Sequence, residues 1–295
     1  MEYVDIKSNK ERLIVDLLGI GFRNVVLLGH YSYKEAKGKL EMHQHKDMLE
    51  ICFLETGSQY YVVGNESYFL KGGDVLITPP NTIHGTSGFP EEKGSLFWMI
   101  IHVPKETFRI LNLTPKESEL LVNKLLNLDR IHFKGGSEMK KMLRAVFKLY
   151  NKKNDLLTKI EMTNHILNFL LSVIHCSEKK ENKSISTDME FCCKFIESNI
   201  FQNIYINNLA KKVNLSESRF KHKFKEEIGM PPNEYIIKLK IKKAKELMLR
   251  TDISITNLAY DLGFSTSSYF STVFKKYQGI SPTTYISNNR SKYRA

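Results

Sequence analysis

The chain has 295 residues, of which 42% are hydrophobic, and its formal net charge is +12. This length is typical of two domains, because domains usually contain roughly 100–200 residues and bury a core of their own. The first ten residues include acids and no apolar run, and the longest apolar stretches, such as residues 166–174, are too short to cross a bilayer. We therefore expect a folded, cytoplasmic protein without a membrane partner.

Residues 20 to 103 contain short apolar segments that are typical of β-strands. Each is bounded by Gly, Pro or Asn, and together they read VVLLGHY, LEICFLETG, QYYVVGNESYFL with a Gly-Asn turn, DVLITP and LFWMIIHV. So many short strands in so small a span predict a β-barrel or a sandwich.

From residue 114 to 175 the apolar residues recur every three or four positions, which predicts amphipathic helices. We expect these helices to form a homodimer interface, with packing against the β-domain as the alternative use of their apolar stripes. Residues 177–187 are polar without periodicity and predict a linker. The expected division is therefore residues 1–176, a linker at 177–187, and an all-helical domain at 188–295.

The last third of the chain is basic and repeats itself. Residues 185–295 contain 18 Lys and Arg against 10 Asp and Glu, which favours a polyanion as partner. Residues 208–218 align with 257–267 at an offset of 49, and after one inserted residue the alignment continues from Phe224 and Phe274 at an offset of 50. Two copies of one module therefore stand in tandem.

Each copy carries the pattern of a helix-turn-helix. A small Ala210 or Ala259 allows two helices to approach closely, and Asn214 or Gly263 suits a left-handed turn. Ser216 and, in the second copy, Ser265 are the expected N-caps of the second helix. Residues 233–251 between the copies predict a long connecting helix that holds the two modules at a fixed separation.

The second helix of each copy is the expected reader of a DNA major groove. Phenylalanines four residues apart face the core, and polar and basic side chains remain outward. The expected contacts to double-stranded DNA are Ser218, Arg219, Lys221, His222 and Lys225 in the first copy, and Ser267, Ser268, Ser271, Thr272 and Lys275 in the second.

The repeat, the AKELM end of the connecting helix and the closing stretch DLGFSTSSYFSTVFKKYQGISPTTY resemble the AraC/XylS family of bacterial transcription regulators. The resemblance is strongest over residues 188–290 and implies a DNA-binding regulator. The family often has Arg where this chain has His222, Thr272 and, in the connecting helix, Lys240. Since Arg pairs with guanine in a way that His and Thr do not reproduce, the operator of a relative should not transfer to this chain.

A second resemblance lies in the β-rich part. Gly38, His43, His45, Glu50 and Gly57, followed by Gly73, Pro79 and His84, resemble the two halves of the cupin signature, with Asn81 where Gly is usual. On a strand His43 and His45 would point to the same side, into the barrel.

In regulators of the resembling family this barrel generally serves as an effector pocket. We therefore expect His43, His45, Glu50, His84, Tyr60 and Trp98 to contact a small polar effector, with a sugar favoured, and Tyr61 and Phe97 to act as further walls. Three imidazoles and a carboxylate also suit Fe, Mn, Ni or Zn, so a metal-dependent cupin enzyme or a metal sensor fused to a DNA-binding domain remains the alternative.

The expected fold class is α+β, with an N-terminal cupin-like barrel and helices followed by an all-α tandem helix-turn-helix domain. The expected function is regulation of transcription by a homodimer that binds an effector, with RNA polymerase as a partner if the protein activates. We expect no catalytic residues and no cofactor.

Overall fold

The computed structural model describes residues 7–106, 108–152, 155–179 and 185–294, with side chains as far as residue 290. The chain divides into two compact units. Of the described residues, the first unit contains those of 7–33, 39–89 and 94–179, and the second contains 34–38, 90–93 and 185–294. Residues 180–184 of the predicted linker lie outside the described residues, and the helices on either side end at Glu178 and begin at Thr187.

The first unit contains eight strands and three helices within the described residues. In chain order they are β1 (Arg12–Asp16), β2 (Val25–Tyr33), β3 (Met48–Val63), β4 (Glu66–Lys71), β5 (Asp74–Thr78), β6 (His84–Gly85), β7 (Gly94–His102), α1 (Pro115–Leu126), β8 (His132–Lys134), α2 (Met139–Tyr150) and α3 (Leu156–Glu178).

The strands form one antiparallel sheet in the order β1-β2-β7-β3-β5-β8, and β4 and β6 also pair with β3. A closed barrel requires its first and last strands to pair. Among the described residues β1 pairs with β2 and β8 with β5, which leaves the two ends of the path apart. The predicted closed barrel is therefore wrong: the sheet is open. Short alternating strands look alike in both architectures, so the pattern did not distinguish them.

The long strand β3 organises the sheet. The sequence predicted two separate segments here, but the strand continues through Gly57, which has a φ of +92°. Its first half pairs with β7 and β5, and its second half pairs with β4 and β6. The Gly-Asn turn between β3 and β4 is present as predicted.

Both faces of the sheet are buried, and they belong to two different cores. One face, which includes Leu49 and Ile51, packs with α1, α2 and α3, and we call it the helix-side core. The other face includes Met48, Cys52 and Trp98, and we call it the inner core. Because side chains alternate along a strand, β3 and β7 are apolar on both sides.

The second unit is helical, and its first half and second half have separate cores. The connecting helix spans both, because Ile236 lies in the first core and Ile241 and Ala244 in the second. The helices are α4 (Thr187–Ser198), α5 (Ile206–Lys212), α6 (Glu217–Ile228), α7 (Pro232–Arg250), α8 (Ile255–Asp261), α9 (Ser267–Gln278) and α10 (Pro282–Arg294).

The two helix-turn-helix modules are α5 with α6 and α8 with α9. Asn214 and Gly263 have φ values of +54° and +69°, as the sequence predicted for the turns. Ser216 caps α6 and accepts a hydrogen bond from the amide of Arg219. In the second copy the prediction was wrong, since Thr266 and not Ser265 caps α9. The inserted residue lies in the turn before α9, so the cap moves one position along the chain.

Within the described ranges, no helix has both the length and the apolarity that crossing a membrane requires.

Candidate functional site

The second helix of each module presents most of the predicted DNA contacts outward. Phe220 and Phe224 of α6, and Phe270 and Phe274 of α9, are completely buried, which fixes the orientation of each helix. Ser267 and Ser271 are half-buried. The exposed members of the predicted set are Ser218, Arg219, Lys221, His222, Lys225, Ser268, Thr272 and Lys275.

Two of these side chains already have partners on their own helix. Lys221 forms an ion pair with Glu217 one turn earlier, and the Thr272 hydroxyl donates to the carbonyl of Ser268 at 3.0 Å. His222 and Lys225 are exposed on the same helix. These two residues are therefore the clearest pair with which to separate base contacts from phosphate contacts.

Lys240, which stands where the resembling family often has Arg, is buried. Its side chain is in the core of the second module, with Nζ 5.6 Å from the centre of the Phe264 ring. Burial lowers the pKa of this lysine. Its Nζ lies beside the turn, since a Cβ at Gly263 would be 3.1 Å from it.

In the first unit His43, His45, Glu50 and His84 come together, and we call them the histidine–glutamate cluster. Each contributes one ligand atom, and the four atoms lie within 4.8 Å of one another. His84 Nε2 is 2.9 Å and His45 Nε2 is 3.4 Å from Oε2 of Glu50. The sequence thus identified all four members.

The local structure differs from the predicted strand at 43–45. This segment belongs to none of the named strands, and a single bridge ties it to β6: the His43 amide donates to the His84 carbonyl at 2.9 Å, and the His84 amide returns a bond at 2.7 Å. The two rings therefore reach the cluster from a segment outside the named strands.

Gly85 and Asn81 allow the segment around residues 43–45 to lie close to the sheet. Gly85 lies so close that a Cβ there would be 2.8 Å from the carbonyl oxygen of Glu41. Asn81 has a φ of +61°, and its side chain accepts from the amide of Asp47 at 3.0 Å. Asn tolerates this left-handed conformation, which explains why it can replace the Gly of the cupin signature. The sequence reasoning missed this role of Asn81.

Further hydrogen bonds orient the cluster. The Nδ1 atoms of His43 and His84 lie 2.8 and 2.9 Å from the carbonyl oxygens of Glu41 and Thr82. A carbonyl accepts but does not donate, so both Nδ1 atoms carry a proton. The thiol of Cys52 donates to Oε1 of Glu50 at 3.3 Å.

The electrostatics of the cluster follow from burial and from these contacts. Burial by itself would raise the pKa of Glu50, but the hydrogen bonds from His45 and His84 outweigh it and hold that pKa well below the usual range. Burial would lower the pKa of His84, yet its bond to Glu50 raises it. Burial lowers the pKa of His43. The cluster therefore contains a buried carboxylate anion.

The predicted aromatic walls are divided between different faces. Trp98 lies in the inner core beside Cys52, its pairing partner on β3, and so on the same face as Glu50. Tyr60 instead packs against Phe69 and Phe89, while its neighbour Tyr61 joins the inner core.

Phe97, another predicted wall, faces the helix-side core and stacks on His30 at 4.2 Å. A separate cleft of about 430 Å³ lies away from the cluster. It is lined by Leu18, Arg23, Asn24, Phe108, Arg109 and Pro115.

Each of the two units matches a known protein family. The AraC-like ligand binding domain matches residues 25–166, and a helix-turn-helix domain matches residues 209–288. The chain belongs to the AraC family of transcription regulators. This AraC-family chain combines a ligand-binding domain with a DNA-binding domain.

Individual relatives are distant. The uncharacterized HTH-type transcriptional regulator YbfI of Bacillus subtilis is 24% identical over 81% of this chain and 84% of its own length. An HTH-type regulator from the cgkA 5′ region of Pseudoalteromonas carrageenovora is 35% identical over 37% of this chain and 68% of its own. The solved C-terminal domain of AraT from Geobacillus stearothermophilus is 29% identical, covers 36% of this chain and 89% of its own, and has a TM-score of 0.35.

Proposed function

We propose that this AraC-family protein regulates transcription in response to a small polar effector held in its first unit. The histidine–glutamate cluster carries the proposal. A buried carboxylate is costly unless it is paired, and a convergent set of buried polar groups beside an apolar wall is typical of a ligand site. Here that set lies in the part of the chain that matches a ligand-binding domain.

A sugar is the favoured class of effector. Hydroxyl groups can donate to the Glu50 carboxylate and accept from imidazole N–H groups. Trp98 lies on the same side of the sheet as Glu50 and forms part of the apolar wall there. We assign these groups to binding and none to catalysis.

We further propose that the protein is a homodimer and that α3 supplies the interface. One face of α3 is buried in the helix-side core through residues such as Met162 and Ile166. Another face leaves apolar side chains in solvent, with Leu157 65% and Ile160 54% exposed. These belong to a series at alternating spacings of three and four, which we call the α3 stripe: Leu157, Ile160, Asn164, Leu167 and Leu171.

The spacing of the α3 stripe is that of a coiled-coil seam, in which a and d positions meet the same positions of a second helix. A single Asn in such a seam specifies register and oligomeric state because its amide must pair with its counterpart. A second copy of this chain is the partner that supplies the same stripe, so we assign the stripe to a symmetric dimer.

On DNA, α6 and α9 would enter successive major grooves. The connecting helix α7 has 19 residues and is therefore about 28 Å long, which holds the modules apart by a fixed distance. Lys and Arg side chains near the phosphates would supply most of the affinity, and the exposed residues of α6 and α9 the sequence preference. RNA polymerase would be a partner if the regulator activates.

The test uses the full chain. Selection of binding sites from random duplexes should yield one preferred sequence with two half-sites, and competition with unrelated DNA at fixed salt should leave that complex intact. Thermal unfolding against a panel of sugars and sugar phosphates then identifies the effector, because a ligand of the native state raises the unfolding temperature. Binding to all duplexes with equal affinity would contradict the regulator proposal.

A further inference from the structure

We propose that the histidine–glutamate cluster binds one divalent first-row transition-metal ion. This inference deepens the proposed function, since it names a ligand of the effector domain, and it rests on that function only for its regulatory meaning. The binding itself is argued from the side chains of the cluster.

The size of the site favours an ion. All four ligand atoms lie within 4.8 Å of one another. Ligand atoms bound at about 2.0–2.2 Å from one metal ion are about 3–4 Å apart, so shifts of a few tenths of an ångström in each side chain would complete the coordination. A sugar ring does not fit into the space between these atoms. If a sugar binds here, it binds beside them.

The hydrogen bonds around the cluster have the arrangement that metal-ligating histidines use. Such a histidine donates its other ring N–H to a carbonyl or carboxylate, which fixes the ring and its tautomer. His43 and His84 both do so through Nδ1, each to the carbonyl two residues earlier. In the neutral ring this leaves Nε2 with its lone pair as the ligand atom.

The carboxylate is oriented in the same manner. The Cys52 thiol donates to Oε1, while Oε2 is the oxygen that His45 and His84 approach. One oxygen is therefore held from outside the cluster and the other faces its centre. A metal ion at that centre would balance the charge of Glu50 without removing any of the outer hydrogen bonds.

The ligand set determines the class of metal. Three imidazole nitrogens and one carboxylate oxygen suit Mn, Fe, Co, Ni and Zn, whereas Mg²⁺ and Ca²⁺ prefer sites made of oxygen and Cu(I) prefers sulfur. An ion with more than four ligands would retain positions for water or for oxygens of an effector. A hydroxyl-rich effector would then bind through the ion.

The experiment uses tag-free full-length protein, freed of metal with a chelator that is then removed. Titration with Co²⁺, followed by its visible absorption and by calorimetry, should show one tight site per chain, and Zn²⁺ should displace the cobalt. Mg²⁺ should not compete. Absence of a site with near-unit stoichiometry for Co²⁺, Ni²⁺, Mn²⁺, Fe²⁺ and Zn²⁺ would overturn the proposal.

Two variants locate the site, and a third is the matched control. Glu50→Gln keeps the shape of the side chain, and His43→Asn changes a half-buried ring whose backbone bonds to His84 remain. Each should weaken Co²⁺ binding by roughly 10-fold or more. His175→Asn removes an exposed histidine of α3 and should leave the site unchanged. Unaltered binding in both cluster variants, or its loss in the control, would contradict the assignment.

Folding and function are read separately from metal binding. Far-UV circular dichroism and affinity for the selected duplex report whether each variant is folded. If Glu50→Gln does not fold, metal binding by His43→Asn provides the test. Specific DNA binding without metal binding would reject the metal and leave the regulator proposal standing. A sugar that stabilises the full chain equally with chelator present would show that the effector does not bind through an ion.

Discussion

Among single residues, the outward side chains of α6 divide into those that can read bases and those that can contact phosphates. His222 and Lys225 are both exposed and nearly one turn apart on this helix. An imidazole offers one donor and one acceptor to a base edge, whereas a lysine acts as a point charge. They should therefore affect specificity and affinity in different ways.

We predict that His222→Ala costs roughly 1–3 kcal/mol at the selected site and relaxes the preference at one base pair. Lys225→Ala should weaken binding to all sequences by a similar factor and reduce the salt dependence. Fluorescence anisotropy with the selected duplex and a set of single-base variants measures both effects. Uniform weakening by His222→Ala would remove this residue from the base contacts.

Gly85 is required by close approach. A methyl group at this position would contact backbone, at 2.8 Å from the Glu41 oxygen and 3.0 Å from that of Leu40. We predict that Gly85→Ala lowers the free energy of unfolding by roughly 1–3 kcal/mol, the range for overpacking. Gly38→Ala is the control, since its Cβ would have nothing within 4 Å. Equal urea midpoints for the two variants would contradict this account.

Glu55 lies in a β-bulge of β3, and its side chain is 2% exposed. Its Oε1 is 2.8 Å from Lys140 Nζ and 2.7 Å from a guanidinium nitrogen of Arg144, both on α2, and Ser95 donates to Oε2 at 2.7 Å. Burial would raise the pKa of Glu55, but these partners lower it to about 2. The carboxylate thus ties α2 to the sheet.

Because the pKa of Glu55 is lower in the folded protein, its ionised carboxylate stabilises the fold at pH values above 4.5, the pKa in the unfolded chain. This stabilisation is lost as the pH falls toward 2. We predict that Glu55→Gln lowers the free energy of unfolding by about 2–3 kcal/mol near neutral pH, and that the difference shrinks at about pH 3. Urea unfolding at both pH values measures it. The control is Glu119→Gln, at an exposed position of α1, which should leave the free energy of unfolding unchanged at both pH values. A destabilisation by Glu55→Gln that does not depend on pH would refute the role given to the Glu55 carboxylate.

Among the elements, α3 has two apolar faces. One face completes the helix-side core, as the alternative interpretation of its apolar pattern anticipated. In the α3 stripe, Leu157, Ile160 and Leu171 remain exposed, while Leu167 is half-buried against that core. Periodicity predicts that a helix has apolar faces but not which surface covers each of them. A helix that packs against its own domain and also forms a dimer interface requires two apolar faces.

We predict that Ile160→Glu converts the full-length protein from dimer to monomer, because a seam of a coiled coil does not accept two apposed carboxylates. Leu13→Glu is the matched control, since Leu13 is 46% exposed and lies on β1, outside the α3 stripe. Sedimentation equilibrium of both variants distinguishes them. A wild-type monomer at micromolar concentration, or a dimer that survives Ile160→Glu, would reject α3 as the interface.

At the scale of the whole molecule, regulation requires that the effector and DNA affect each other's binding. If the effector changes the affinity for DNA by a factor, DNA must change the affinity for the effector by the same factor, typically about 5–150-fold. We predict equal factors when DNA titrations with effector are compared with effector titrations on DNA. A tight effector that leaves DNA affinity unchanged would show that the ligand site is not regulatory.

The sequence by itself determined the features that depend on near neighbours along the chain. Periodicity predicted the three helices at 114–175, the repeat predicted both helix-turn-helix modules, and the left-handed turns at Asn214 and Gly263 followed from residue type. These features follow from backbone propensity and from helical or strand periods, which act over a few residues. The cluster residues were singled out by their resemblance to the cupin signature.

Only the tertiary structure decided which distant groups meet. Glu50 and His84 are 34 residues apart, and they meet because β6 pairs with the far half of β3. The open sheet, the inward position of Tyr61 in place of Tyr60, and the move of the α9 cap to Thr266 were likewise not visible in the pattern. The physical reason is the same in each case: strand pairing, bulges and one-residue insertions change which face a side chain occupies while leaving the local pattern unaltered.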